Sequence, residues 1–238
     1  MNRLFVPTLG PTDWRRLLAD PGTQWRPSKS ALEMAVCWES ARATRRGLPP
    51  EIAAVIDSVP TFAGAELLVG LPEHKVYFEG GGHPSQNDLW ALLQVKSGFV
   101  SMAVEAKAGE KLDDFVGDWL KKKDARTRKP ERLKALQTCL GIPDQDATEI
   151  RYQLLHRTLS ALREATRFRA SWAVLLVQSF DRAADEISWQ DFKQFGSLMN
   201  AAVQEGSLVR SGCTTEVPLY LGWVSCFAAD VSRLRAAV

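Results

Sequence analysis

Asp88, Glu105 and Lys107 are two acids and a base spaced so that one face of a β-hairpin would collect all three. The run Phe99-Val100-Ser101-Met102-Ala103-Val104-Glu105-Ala106-Lys107 is apolar until its last residues, the pattern of a strand buried on both faces. Alternation puts Glu105 and Lys107 on the same face. Ionised groups at the end of a buried strand need a partner or a job, because an unpaired buried charge is costly. With Ser97-Gly98 as a two-residue loop, Lys96 faces Phe99 and Asp88 faces Lys107, diagonal to Glu105 and within reach of it. A slip of one residue would send Asp88 to the other face, so the trio depends on this turn. Two carboxylates can hold a hard divalent cation through oxygen, Mg²⁺ most naturally and Mn²⁺ as the alternative. Such a cation polarises a phosphoryl oxygen and acidifies water. A lysine beside it can orient that water or offset charge building on phosphate. Together these are a minimal apparatus for phosphodiester hydrolysis. A structural ion pair can look the same from sequence, so the strand context carries the distinction.

The elements that would position the trio follow from periodicity and breakers. Residues 1–29, rich in Pro, Gly, Trp and Arg, read as a wrapping arm with a short helix around 13–18. A helix is expected over 30–45, with Ser30 as N-cap and Glu33 as its capping-box partner. Gly47, Pro49 and Pro50 end it, and 51–58 is a second short helix. Strands at 66–70 and 75–79 flank a Leu71-Pro72 turn, and Gly80-Gly81-Gly82-His83-Pro84-Ser85 is a loop. The two long strands are 88–95 and 99–108. Residues 110–122 carry one apolar stripe, Leu112, Phe115, Val116, Trp119 and Leu120, and predict an amphipathic helix. Pro130 starts another helix, which Gly141 and Pro143 stop. A longer helix over 147–168, a buried strand over 170–180, a helix over 188–204 and a strand over 217–226 complete the chain. Strands and helices mixed throughout argue an α/β fold, and the absence of a linker argues one domain over 1–238.

The pattern Asp88 … Glu105-Ala106-Lys107 across adjacent strands resembles the PD-(D/E)xK superfamily, the restriction-endonuclease-like nucleases. The resemblance covers roughly residues 30 to 180. It implies an α-β-β-β-α-β core with a mixed sheet, an Asp and a Glu that bind Mg²⁺, and a Lys that assists hydrolysis. It also implies a further acid from the first helix, for which Glu39 is the best-placed residue and Glu33 the second. Two departures stand out. Asn87 replaces the motif's proline, and three helices separate the catalytic strand from the strand at 170–180 where the core has one. The helix ending at Phe168 is taken as the core one, and the other two as insertions.

Other residues could serve the same chemistry. The 147–168 helix lines up Gln153, His156, Arg157, Ser160 and Arg163 or Glu164 on one polar face, which is either solvated or borders the metal site and touches phosphate. Lys121, Lys122, Lys123, Arg126, Arg128, Lys129, Arg132 and Lys134 stand against only Asp124 and Glu131, the strongest electrostatic footprint for a phosphate backbone in the chain. His83 is a candidate substrate contact. The net charge of +2 does not by itself call for nucleic acid. Four dispersed cysteines show no C-x-x-C pair, and no apolar run approaches a membrane span. With no secretory leader legible at the first residues, the cytoplasm is the expected location. The expected activity is metal-dependent cleavage of DNA or RNA. The alternative is a non-catalytic protein that binds nucleic acid, or another partner, on the same fold.

Overall fold

A computed structural model describes residues 8–78, 81–124 and 128–227. The first seven residues of the expected arm, Glu79, Gly80 and Arg126 therefore lie outside the described residues. Helices α1 (Pro21–Gln24), α2 (Ser30–Ser40) and α3 (Pro50–Asp57) precede strands β1 (Glu66–Val76), β2 (Ser85–Val95) and β3 (Gly98–Lys107). Helices α4 (Val116–Lys121), α5 (Lys129–Cys139) and α6 (Tyr152–Phe168) lead to β4 (Trp172–Ser179), and α7 (Glu186–Leu198), β5 (Leu208–Arg210) and β6 (Leu219–Ser225) follow. The six strands form one mixed sheet in the order β1-β2-β3-β4-β6-β5. The first three are an antiparallel meander; β4 runs parallel to β3 and β6 parallel to β4. The chain is thus an α/β protein whose sheet is covered on both faces.

The alternation in β2 and β3 decides which side chain meets which layer. Leu89, Ala91, Leu93, Val100, Met102 and Val104 face one core with Trp38, Ile52 and Phe62 of the α2–α3 region. Trp90, Leu92 and Ala103 face the other, against Leu155, Leu159 and Leu162 of α6. Asp88, Glu105 and Lys107 share the parity of Trp90 and Ala103, so they belong to the α6 face. A buried hydrogen-bond relay pins that helix to the hairpin. Trp90 Nε1 donates to Ser101 Oγ at 2.9 Å, and Ser101 donates to the carbonyl of Ala161 at 2.7 Å.

Several expectations are corrected. The two-residue loop is Lys96-Ser97, because Val95 pairs with Gly98 and Gln94 with Phe99. The register therefore moves by two residues, an even number, and every side chain keeps its face. The expected strand–turn–strand at 66–79 is one continuous strand, β1, with a bulge between Leu67 and Val69. Pro72 fits inside it because β1 is an edge strand, where a missing N–H costs no ladder bond. The 110–122 helix shrinks to α4. Residues ahead of it run extended because their backbone is bonded elsewhere: Tyr152 N donates to Asp114 O at 2.9 Å and Val116 N to Ile150 O at 2.8 Å. Those bonds also delay α6 until Tyr152. The capping box at Ser30 is not formed: Lys29 is the N-cap, and Glu33 Oε1 accepts from Ser28 N at 3.3 Å. The short strand β5 has no counterpart in the sequence reading.

The relay makes a direct prediction. Ser101→Ala should strand the buried Trp90 N–H and remove the second hydrogen bond of the Ala161 carbonyl, which keeps only its intrahelical one. A loss of about 2 kcal/mol is expected in urea unfolding. A change below about 0.5 kcal/mol would show that the relay does not hold α6 on the hairpin.

Candidate active site

Register brings three carboxylates into one row. Asn87 pairs with His74 and Leu89 with Pro72, so Glu73 stands opposite Asp88. Leu89 pairs with Val104, so the next position sets Asp88 beside Glu105. Glu73 adopts a left-handed conformation, φ 53°, at this point of the edge strand. The side chains line a cleft of about 530 Å³ together with Gln86, Lys107, Gln153 and Arg157 from the sheet and α6, and with Lys29 and Ser30 at the start of α2.

Glu105 is the hub. It is 2% exposed. Its Oε1 accepts from Lys107 Nζ at 2.8 Å and from Gln153 Nε2 at 2.7 Å, and its Oε2 from Arg157 Nε at 2.6 Å. Gln153 and Arg157 come from the first two turns of α6, whose N-terminal dipole also favours the carboxylate. Arg157 NH1 donates to Ser85 Oγ at 3.0 Å, and Ser85 Oγ lies 2.8 Å from His156 Nδ1. Arg157 NH1 also lies 3.4 Å from His156 Nδ1, and a guanidinium can only donate, so Nδ1 carries no proton and accepts from the serine hydroxyl. The imidazole is therefore the neutral Nε2–H tautomer. Asp88 is bound differently: its Oδ2 accepts from Ala106 N at 2.7 Å. Glu73 Oε2 accepts from Gln86 Nε2 at 2.7 Å.

The charges separate these acids. Burial pushes the Asp88 carboxyl up, and the Glu105 charge adds to it, to about 7. Burial, then Asp88, lifts Glu73 to about 8. Burial opposes ionisation of Glu105 as well, but Lys107 and Arg157 together outweigh it and hold that carboxyl below its usual range. Burial also opposes the Lys107 charge, and Glu105 with Asp88 reverses the balance, raising the ammonium's pKa. Burial first, then Arg157 and Arg132, keeps His156 well below the ordinary imidazole value.

The structure brings together Asp88, Glu105, Lys107, Gln153 and Arg157 in one cleft. His156 sits behind it, and His83 lines an adjoining hollow with His156 and Arg157. The polar face of α6 is not a solvated one, since His156, Arg157, Ser160 and Glu164 are all buried. Glu39 is spent elsewhere: it accepts from Thr8 Oγ1, Trp14 Nε1 and Arg42 NH1, each at 2.8 Å, and so ties the arm to α2. Lys121, Lys122, Lys123 and Arg128 are exposed around the α4–α5 junction and do not line the cleft. Sequence reasoning missed Glu73, Gln86 and Ser85. Glu73 was hidden by the turn inferred from Leu71-Pro72; pairing the edge strand through to 76 would have placed it opposite Asp88.

Among the described residues no group of three or more His, Cys, Asp or Glu side chains is arranged to hold a metal ion. The two expected ligands nonetheless retain capacity: Asp88 accepts a single hydrogen bond, on Oδ2, and Glu105 Oε2 accepts one donor. That donor set suits a hard cation that keeps several of its waters. The fold and site define an α/β protein with a carboxylate–lysine–arginine cleft at the carboxyl end of β3. The chain belongs to the family described as Domain of unknown function (DUF6946), which it matches over residues 7–226. No curated protein and no solved structure matches it. No helix among the described residues is long and apolar enough to cross a membrane.

The raised carboxyls predict a pH dependence. A carboxyl whose folded pKa exceeds its unfolded value adds stability at low pH that is lost as pH rises through the folded value. For Asp88 and Glu73 that loss runs through about 7 and about 8. His156, depressed when folded, has the opposite slope, which is complete above about pH 7. In chelator, melting temperature should therefore fall as pH rises from about 5 to about 8, with His156 opposing the fall below about pH 7, and level off above about 8. Asp88→Asn should reduce the fall and stabilise the protein at pH 8.5 by on the order of 2 kcal/mol. An identical profile for wild type and Asp88→Asn would sink this assignment.

Proposed function

We propose that this protein is a divalent-metal-dependent nuclease of the restriction-endonuclease-like kind, with Asp88, Glu105 and Lys107 as its working residues. The observation that carries the reading is the convergence of these three side chains, from the ends of adjacent strands, in one cleft beneath the amino end of α6. Element order adds support. The succession α2, β1-β2-β3, α6, β4 follows the expected core order, with α4 and α5 as the two additional helices before the core helix. β4 also runs parallel to β3.

Asp88 and Glu105 would hold Mg²⁺ or Mn²⁺, which supplies a Lewis acid for a phosphoryl oxygen and acidifies water. Lys107 stays charged between Glu105 and Asp88 and faces the cleft, where its ammonium can neutralise an anionic phosphate oxygen. Gln153, held on Glu105 and also accepting from Asp113 N at 3.2 Å, fixes the carboxylate's plane. Arg157 holds the second oxygen, so Glu105 cannot rotate away.

One observation favours the alternative, a nucleic-acid-binding protein without catalysis. Glu105 is already satisfied by Lys107, Gln153 and Arg157 without any cation. The two readings part in one experiment: nicking of plasmid DNA and degradation of single-stranded RNA, with Mg²⁺, with Mn²⁺ and with chelator. Wild type should cleave only with metal. Lys107→Ala should lose at least about a hundredfold in rate while still binding Mn²⁺ by calorimetry, since both carboxylates remain. It should fold, because Arg157 and Gln153 still satisfy Glu105. Asp88→Ala should lose cleavage and Mn²⁺ binding together. Equal cleavage by wild type and Lys107→Ala would refute the site; no cleavage by wild type on either substrate would leave the binding-protein reading.

A further inference from the structure

A second hollow, of about 320 Å³, adjoins the carboxylate cleft and shares Gln86, Gln153 and Arg157 with it. Its wall includes Arg132, one of the cations counted in the basic stretch but not an exposed one: it is 4% exposed. Its Nε donates to Tyr152 OH at 2.7 Å, its NH2 to His83 O at 2.9 Å and its NH1 to Gly81 O. All three acceptors are neutral. A guanidinium has five N–H donors, so two remain. The other buried arginine here, Arg157, is neutralised by Glu105, and the nearby Arg151 by Asp191 at 2.7 Å. Arg132 has no carboxylate within ion-pair distance among the described residues. Asp113, an acid of the same hollow, is exposed and accepts from Asp114 N at 2.8 Å.

A buried cation without a counter-charge is costly and is expected to find an anion. Its positive charge also reaches His156: behind burial and Arg157, Arg132 helps keep that imidazole's pKa well below the ordinary value. His83 presents an exposed imidazole at the same hollow. We infer that Arg132 and His83 form a phosphate subsite, which seats a phosphodiester next to the one placed at Asp88 and Glu105. The two hollows are then one groove for a nucleic-acid strand, with Gln153 and Arg157 as the partition between adjacent phosphates. The inference rests on the nuclease reading for the identity of the strand, but its test does not require cleavage.

The test is binding in chelator, where no metal-dependent reaction runs. A fluorescent single-stranded 12-nucleotide DNA, its RNA equivalent and inorganic pyrophosphate are titrated against the full chain over a range of salt. Wild type should bind the oligonucleotides with a salt dependence. Arg132→Gln should weaken them about tenfold and lower the slope of log affinity against log salt by about one. Arg132 also holds the 81–83 loop, so the fold of its variant is checked by circular dichroism, and His83→Glu tests the subsite independently of that loop contact. It sits at an exposed position, leaves the core untouched and places a negative charge at the subsite, so it should also cost tenfold or more. Unchanged oligonucleotide affinity in the folded variants would overturn the subsite. Arg132-dependent binding of pyrophosphate with no binding of either oligonucleotide would overturn the strand-groove version. Arg132-dependent oligonucleotide binding with no cleavage on adding metal would refute the nuclease reading and leave the subsite standing.

Discussion

A carboxylate buried at the end of a central strand dictates the surroundings of this site. Glu105 cannot be ionised at 2% exposure without donors, and β3 alone supplies only Lys107. The remaining donors must come from a neighbouring element, and α6 delivers Gln153 and Arg157 one turn apart. That requirement fixes where α6 begins and how it is rotated. Arg157 NH1 then needs an acceptor besides Glu105, which Ser85 on β2 provides, and the Ser85 hydroxyl hydrogen-bonds to His156 in turn. The chain of dependence runs from one acid through a helix to the start of another strand. Networks of this kind contribute little net stability, because well-packed apolar residues of the same size often do as well or better. Removing one partner, by contrast, leaves a buried charge and costs several kcal/mol. A network that is expensive to break and unprofitable as a stabiliser is better explained by what it positions.

What it positions is an imbalance. Glu105 has two cations on it, whereas Asp88 has a backbone amide and Glu73 a side-chain amide. Two acids in one row are therefore pushed up while the third is held down. Environments that drive similar groups apart assign them different tasks. Glu105 is the fixed anion of the cleft. Asp88 and Glu73 form the side that still lacks positive charge, and this is where an added cation gains most.

The sequence made the trio legible for a reason that survived an error. The turn was placed one residue too late, yet pairing moved by two positions and parity was preserved, so Asp88 stayed with Glu105 and Lys107. The buried strands, Pro130 as a helix start and the stop at Gly141 were readable because apolar runs and breakers are local signals. Three features were not local. The extended run before α4 is set by pairing with residues ahead of α6, which no 3.6-residue pattern reports. Pro72 reads as a turn until the strand is known to be an edge, and so Glu73 was missed. Glu39 has the right type on the right helix, but Thr8, Trp14 and Arg42 claim it.

The basic stretch shows why charge counting overstates an interface. Its members divide by burial. Lys121 and Lys122 are exposed and paired with Asp118 and Asp114, contacts that count for little in water. Lys129 is buried, donating to the carbonyls of Trp119 and Lys122, where it satisfies the open end of α4 and complements the helix dipole. It is structural, and its charge is spent on backbone oxygens. Arg132 is buried three residues on, holds a loop through neutral acceptors and pairs with no carboxylate among the described residues beside the cleft. Equal formal charges in one segment therefore do three different things, and the distinction lies in what each cation already touches. The surface lysines can draw a polyanion toward the protein at long range, and salt will weaken that pull. Registering a phosphate at a fixed distance from Asp88 needs a cation that does not move, and in this segment burial and three hydrogen bonds give that property to Arg132.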